Sequence, residues 1–227
     1  MNTSREKILN EVRKATRIKS QIPSTSDDID QRIVKGLNTI TPKSYEDLKE
    51  QFKNELELVS GEFHLIHDLD EAGELISNFL LHNKYRKLAI TREDLCKDIS
   101  RKIIQRHGDI QLFEVTNIEW PARKTELASV SVSLVQAVFA IANTGSLVFQ
   151  YDKTGTSLPH FLSDTVFVLI NQRQIIANQY ELFEKLSLEE MKNMFIVTGP
   201  SRTADIEKIL ILGAHGPRKL IVLMWGE

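Results

Sequence analysis

The sequence predicts a single α/β domain built on a mainly parallel β-sheet that helices cover on both faces. From residue 44 onwards, short apolar runs alternate with amphipathic segments of roughly ten to fifteen residues, the pattern of strand–helix–strand units. The chain has 227 residues, 41% of them hydrophobic, which suffices for one sizeable core. We therefore expect one α/β domain over residues 44–227, preceded by an N-terminal helix and linker over residues 1–43.

The N-terminal extension begins with a capping box, because Thr3 and Glu6 can satisfy each other's free backbone donors. The apolar residues that follow recur at helical spacing: Ile8, Leu9, Val12 and Ala15. This spacing predicts a helix over about Ser4–Lys19, which we expect to pack on the body of the protein or on a neighbouring subunit. Gln21–Asp30 contains Pro23 and several Ser, Thr and Asp residues, and so predicts an exposed linker.

The first half of the body alternates regularly between helices and strands. The predicted helices start at Ser44, with Leu48, Phe52 and Leu56 inward, at Asp70, which caps a helix to about Leu81, and at Thr91–Asp94, which caps a helix to about Arg106. The predicted strands are Phe63–Ile66, Lys87–Ile90 and Ile110–Val115. These elements form the first part of a parallel sheet.

The second half departs from this alternation. Ala128–Val135 alternates with period two, and the small apolar run Ala137–Ala142 leads through the turn residues Asn143-Thr144-Gly145 into a strand over Ser146–Tyr151. This predicts a hairpin or bent strand pair inserted in the parallel pattern. The remaining predicted elements are strand Thr165–Ile170, helix Gln179–Leu186, strand Phe195–Val197, helix Ala204–Leu212 with Gly213 at its C-cap, and strand Lys219–Trp225, which closes the sheet.

Composition excludes several classes of function. The balance of 29 basic and 31 acidic residues lacks the footprint of a nucleic-acid binder, and no apolar run is long enough to cross a bilayer. Cys96 is the single cysteine, which excludes an internal disulfide, a Cys₄ zinc site and a self-contained iron–sulfur cluster. Met1–Lys14 has no continuous hydrophobic segment, so we do not expect it to be a secretory signal. We expect a cytoplasmic protein without a metal or cofactor of its own, and without nucleic-acid or membrane partners.

Thr198–Asp205 is the first candidate for a binding site. A glycine after a buried strand lets the backbone turn closely, and Ser201 or Thr203 can cap the helix expected next. The helix amides would then favour a carboxylate or phosphate, with Arg202 adding a bidentate fork. The alternative is a capped strand-to-helix turn without a ligand, which the residues taken alone favour.

Ala142–Ser146 is the second candidate, because hydroxyls beside a glycine can present donors to a ligand. An ordinary hairpin turn is the simpler explanation. His215–Arg218 lies between the last predicted helix and the last strand, and therefore at the opposite edge of the sheet from Gly199–Thr203. We expect that Arg202 and Arg218 do not share a pocket, and that His215 and Arg218 have a structural or interface role.

Taken together, these motifs resemble a known family. Gly199–Glu207, followed by Leu212–Arg218, resembles the C-terminal signature of the lactate utilization protein C family, the LUD domain. Ala140–Val148 is similar to its central motif and Ser4–Leu9 to its N-terminal helix. The chain departs from the family at Asn143, where an acidic residue is common, and between Tyr151 and Pro159.

The resemblance implies a fold of the sugar-phosphate isomerase and coenzyme A transferase type. It also implies a non-redox subunit of a cytosolic assembly that oxidises lactate to pyruvate, beside iron–sulfur partner proteins. We expect a small carboxylate ligand, with Arg202 orienting it, at positions that the carboxyl edge of a sheet presents together. The expected contacts are Thr144, Gly145, Ser146, Gly199, Ser201, Arg202 and Thr203; no catalytic residue is assigned.

Two alternatives remain open on the sequence. One is a free-standing enzyme that acts on a sugar phosphate or an acyl thioester, by analogy with the fold. The other is a structural or regulatory interaction protein that docks through the helix over Ser4–Lys19.

Overall fold

A computed structural model of the chain describes residues 44–115, 125–126, 128–151, 157–204, 210–212 and 216–226. The predicted N-terminal helix and linker lie outside these residues. The described strands are β1 Glu62–Ile66, β2 Lys87–Ile90, β3 Gln111–Glu114, β4 Val132–Gln136, β5 Phe139–Ile141, β6 Ser146–Gln150, β7 Thr165–Asn171, β8 Ile175–Ile176, β9 Met194–Val197, β10 Arg202–Ala204, β11 Leu210–Leu212 and β12 Lys219–Trp225. The described α-helices are α1 Tyr45–Leu58, α2 Leu69–His82, α3 Asp94–Arg106, α4 Leu158–Leu162, α5 Gln179–Lys185 and α6 Leu188–Met191.

The central layer is a six-stranded sheet of order β1-β12-β7-β4-β2-β3, in which every neighbouring pair of strands is parallel. Its middle strand β7 is buried on both sides, as parallel strands between two layers are. Phe167 and Leu169 pack with α2 and α3 on one face. Val166, Val168 and Ile170 pack with α1 and a second sheet on the other. The predicted α/β fold with a mainly parallel, helix-covered sheet is confirmed.

The second sheet has four strands in the order β8-β5-β6-β9. Strands β5 and β6 pair antiparallel around the turn at residues 142–145, so the predicted hairpin is confirmed. Strand β9 pairs antiparallel with β6, whereas β8 pairs parallel with β5. The hairpin is therefore the centre of a separate layer and is not inserted in the parallel sheet.

The predicted helix Ala204–Leu212 is wrong. Strands β10 and β11 form an antiparallel pair in which Arg202 is opposite Leu212 and Ala204 is opposite Leu210; the residues between these strands lie outside the described part of the chain. Periodicity does not separate strand from helix in a short apolar run, and the β-branched residues of Ile209–Leu212 favour a strand.

Strand β12 does not close the sheet, because it lies between β1 and β7. All of its residues from Leu220 to Met224 are buried. A strand this apolar is stabilised most where both of its faces are covered, which is inside the sheet and not at its edge.

The helix starts agree with the sequence at α1 and α3 and differ at α2. Helix α1 starts at Ser44 as expected, and Ser44 forms a capping box with Asp47. Helix α2 is capped by Asp68, whose side chain accepts from the Glu71 amide; Asp70, predicted as the cap, instead accepts from Lys102 at 2.6 Å. The N-cap of α3 is Glu93, within the predicted segment Thr91–Asp94, and it makes no side-chain capping hydrogen bond. The Thr91 hydroxyl donates instead to the Cys96 sulfur at 3.6 Å.

Among the described residues, no helix combines the length and apolarity needed to cross a membrane.

Two glycines hold the second sheet against the C-terminal end of α1. Gly145 has φ of +61° and Gly199 has φ of +76°, a region that side chains with a Cβ adopt at a cost. A Cβ on Gly145 would overlap the backbone of Glu55 and Leu56, and a Cβ on Gly199 would overlap Val59. Both contacts therefore require glycine.

We predict that Gly145→Ala lowers the free energy of unfolding by about 3 kcal/mol, since it combines a left-handed backbone with a main-chain clash. Urea unfolding followed by circular dichroism measures the loss. Gly108→Ala is the matched control, because a Cβ there meets nothing within 4 Å. Equal stability of the two variants would contradict the packing of the turn on α1.

Candidate functional site

An open cleft of about 500 Å³ lies at the C-terminal end of α1. It is formed by the last residues of that helix, by α4, by the segment that leaves β9 and by the loop before β12. The described residues that line it are Leu58, Val59, Phe161, Ile196, Val197, Thr198, Gly199, Pro200, Ser201, Gly216 and Pro217. None of these described lining residues is acidic.

Two loops that the sequence places apart meet in this cleft. The Ser201 amide donates a 2.8 Å hydrogen bond to the Pro217 carbonyl. The expectation that these loops lie at opposite edges of one sheet is therefore wrong. It assumed a helical crossover between the last two strands, but β9 belongs to the second sheet. Arg202 and Arg218 each follow directly on one of the two bonded residues, so both main chains leave from the same cleft.

The two candidate motifs also meet, through a row of three hydroxyls. The Ser146 hydroxyl lies 2.7 Å from the Thr144 hydroxyl and 2.7 Å from the Thr198 hydroxyl. Strand register produces this contact, because Leu147 is opposite Val197 and the next residues outward are Ser146 and Thr198. Ser146 is buried, whereas Thr198 is exposed at the cleft. Donors thus run from the hairpin turn to the cleft wall.

Thr198 is the residue that the predicted site lacked. Its signal in the sequence is its place directly after the apolar run of β9, which is half-buried, and before a glycine. Two of the predicted contacts lie near Thr198: Ser146 shares a hydrogen bond with it, and Ser201 lines the same cleft. Arg202 and Thr203 begin β10, so the helix terminus that was to bind the anion is replaced by a strand.

The glycines of the predicted site have a different neighbour from the one expected. Gly145 and Gly199 are among the expected ligand contacts, and the close approach that their backbone makes is to the end of α1. Gly199 still lines the cleft. Their left-handed backbone therefore positions the hydroxyl row and the cleft wall against the helix.

His160 lies beside the cleft in a cluster of aromatic rings. Its ring centroid is 4.5 Å from that of Phe149 and 4.9 Å from that of Phe195, and its Nδ1 is 3.2 Å from the Ser157 carbonyl. Burial lowers the pKa of His160 to about 4, because an apolar surrounding disfavours the charged imidazole. His160 is thus a neutral packing group at pH 7, and it supplies no positive charge to an anion.

The described residues contain no group of three or more His, Cys, Asp or Glu side chains placed to hold a metal ion. Cys96 is fully buried in the core between α2, α3 and the parallel sheet. Burial raises the pKa of its thiol, so the sulfur stays protonated and is a poor nucleophile or metal ligand.

Comparison with known proteins places this architecture among the LUD domains, whose family profile matches residues 49–224. The uncharacterized protein YkgG of Escherichia coli strain K12 is 30% identical over 152 residues, covering 57% of this chain and 65% of that protein. Lactate utilization protein C of Deinococcus radiodurans is 28% identical over 117 residues, covering 50% of this chain and 55% of that protein. The chain thus spans 65% of the length of the first relative and 55% of the second.

A solved structure has the same fold. The crystal structure of a DUF162 family protein from Deinococcus radiodurans superposes with a TM-score of 0.60 at 17% identity, covering 82% of this chain and 100% of that one.

Lactate utilization protein C of Geobacillus thermodenitrificans is a further sequence relative, 26% identical over 137 residues, with 50% of this chain and 56% of that protein covered.

We predict that His160 makes the folded state less stable in mild acid. In the unfolded chain His160 binds a proton near pH 6.5, and in the folded chain only near pH 4. Its contribution is therefore complete above pH 6.5 and is lost as the pH falls towards 4, by up to about 3 kcal/mol.

Urea unfolding of wild type and of His160→Gln measures the effect. The pH range runs from roughly 7.5, about one unit above the pKa in the unfolded chain, down to about 4, the pKa in the folded chain. The variant should lose less stability than wild type over that range. Gly108→Ala, which changes no titratable group and places a Cβ in open space, should keep the wild-type slope. Identical slopes in all three proteins would contradict the burial of a neutral His160.

Proposed function

The chain belongs to the LUD domain family, and from that premise we propose that it serves in lactate utilization as a non-redox subunit of a lactate-oxidising assembly. Relatives that carry the name lactate utilization protein C support the metabolic role. A buried, protonated Cys96 fits a subunit that leaves electron transfer to iron–sulfur partner proteins. We propose that this assembly is cytoplasmic.

The cleft at the end of α1 is our proposed site for a small carboxylate such as lactate or pyruvate. The observation that carries this proposal is the hydrogen bond from the Ser201 amide to the Pro217 carbonyl, because it brings the main chains that lead into Arg202 and Arg218 to one place. A carboxylate is bound best where a guanidinium and hydroxyl donors converge away from acidic groups. The absence of acidic side chains among the described lining residues fits that requirement.

Within this site each predicted contact has a proposed role. Arg202 orients the carboxylate, and Ser201 and Thr203 offer hydroxyls on the same segment. Gly199 forms part of the wall, and Gly145 fixes the turn that carries Thr144 and Ser146. These two hydroxyls stand behind the wall and act on the ligand through their neighbours.

Exposed apolar side chains at the rim of the cleft support a role within an assembly. Leu58 is 74% exposed and Phe161 is 40% exposed, and both line the cleft. Next to Phe161 on α4, Leu162 is 44% exposed. Neighbouring large apolar groups on a surface are typical of sites that a protein partner covers.

We predict that lactate or pyruvate raises the melting temperature of the purified chain, because a ligand that binds only the folded state stabilises it by mass action. At about 100 times the Kd the gain is about 2.7 kcal/mol, or about 5–10 °C for a domain of this size. Arg202→Gln should abolish the shift, whereas Arg173→Gln, at an exposed arginine on the loop after β7, should keep it.

A ligand-induced shift that survives Arg202→Gln would refute the proposed site. If only coenzyme A or a sugar phosphate raises the melting temperature, and the isolated chain turns that compound over, the chain is a free-standing enzyme and not a subunit of an assembly. Recovery of the iron–sulfur partner proteins with the tagged full-length chain tests the assembly itself, and their failure to co-purify would contradict it.

A further inference from the structure

Three hydroxyls form a continuous row between the hairpin turn and the cleft. Thr144 and Ser146 lie on the turn and the first residue of β6, and Thr198 follows the last residue of β9. Both oxygen–oxygen distances in the row are 2.7 Å, the ordinary length of a hydroxyl hydrogen bond. The side chain of Ser146 is 1% exposed, so it exchanges neither bond for one to bulk water.

The geometry restricts the direction of these hydrogen bonds. A hydroxyl carries one proton, so Ser146 can donate to Thr144 or to Thr198, but not to both. When Thr144 donates to Ser146 and Ser146 donates to Thr198, the proton of Thr198 remains available to a group in the cleft. In the opposite direction Thr198 donates its proton to Ser146, and only the lone pairs of its oxygen face the cleft.

An acceptor bound in the cleft selects the first of these two directions. Its negative charge favours the O–H of Thr198 pointing outward, and Ser146 then supports that orientation by donating to the Thr198 oxygen. Hydrogen bonds in such a row polarise one another, more strongly where water is excluded. The described lining residues add no acidic group that would favour the reverse.

We propose that Thr198 donates its hydroxyl proton to an anionic oxygen in the cleft, and that Ser146 is the positioning residue that orients this donor. The inference rests on the proposed function for the position of the ligand. It extends the proposed site by one residue, Thr198, and by the direction in which the hydroxyls of the row donate their hydrogen bonds. The ligand chemistry is an oxygen anion, which a carboxylate or a phosphate can supply.

Isothermal titration calorimetry of the full chain with L-lactate and with inorganic phosphate tests the inference. A hydroxyl bonded to a charged oxygen is worth enough that Thr198→Val should weaken binding by about tenfold. Thr198→Ser keeps the hydroxyl and should bind within about twofold of wild type. Ser146→Ala should weaken binding by about threefold, since it leaves Thr198 in place but removes its orientation.

The double variant Ser146→Ala/Thr198→Val separates positioning from a merely structural role. If Ser146 acts through Thr198, the double variant binds no more weakly than Thr198→Val alone. A double variant whose loss equals the product of the two single losses overturns the inference, as does wild-type binding by Ser146→Ala. Ser77→Ala, at a buried serine of α2 that bonds within its own helix, is the control and should bind as wild type does.

The two probes distinguish failure of this inference from failure of the proposed function. Lactate binding with independent losses at Ser146 and Thr198 leaves the carboxylate site standing and refutes the oriented row. Phosphate binding without lactate binding, accompanied by the coupled loss, refutes the carboxylate ligand and supports the row. Binding of neither probe refutes both.

Discussion

The contact between two left-handed glycines and the C-terminal end of α1 is the constraint on which the rest of the site depends. Helix α1 is anchored in the core by Leu48, Phe52 and Leu56. Gly145 brings the hairpin turn onto its last turn, and Gly199 brings the exit of β9 onto Val59. Because neither contact leaves room for a Cβ, both glycines lie directly against the helix end, and the hydroxyl row and the cleft are placed beside it.

The fold could be predicted because its signals are local. Strand β7 is apolar from Val166 to Ile170, as burial between two layers requires, and the turn at Asn143–Gly145 carries the residues that a hairpin favours. The strands β10 and β11 could not be assigned in this way, because apolar spacing there suits a helix as well as a strand. They are strands because they pair with each other, and strand pairing is not a local property of either segment.

The site was predicted in part, and for a reason that does not hold. The turn at 144–146 and the segment after β9 do meet, but they meet across the antiparallel pair β6–β9 and not at the carboxyl edge of parallel strands. Thr198 lies 52 residues from Ser146 in the chain, and a register over that distance leaves no local pattern. The neighbouring positions of Arg202 and Arg218 were missed because the prediction assumed that the last two strands belong to one sheet, whereas β9 lies in the second sheet and β12 in the parallel one.

The carboxylate site in the cleft is tested most directly by titrating the ¹⁵N-labelled chain with L-lactate and following the backbone amide chemical shifts. If lactate binds there, the amides that line the cleft, those of Thr198, Gly199, Ser201 and Gly216, shift in a saturable way. Amides at the carboxyl ends of the strands of the parallel sheet, such as that of Thr91, keep their positions. Shifts confined to those strand ends, with the cleft amides unchanged, would show that the ligand binds elsewhere.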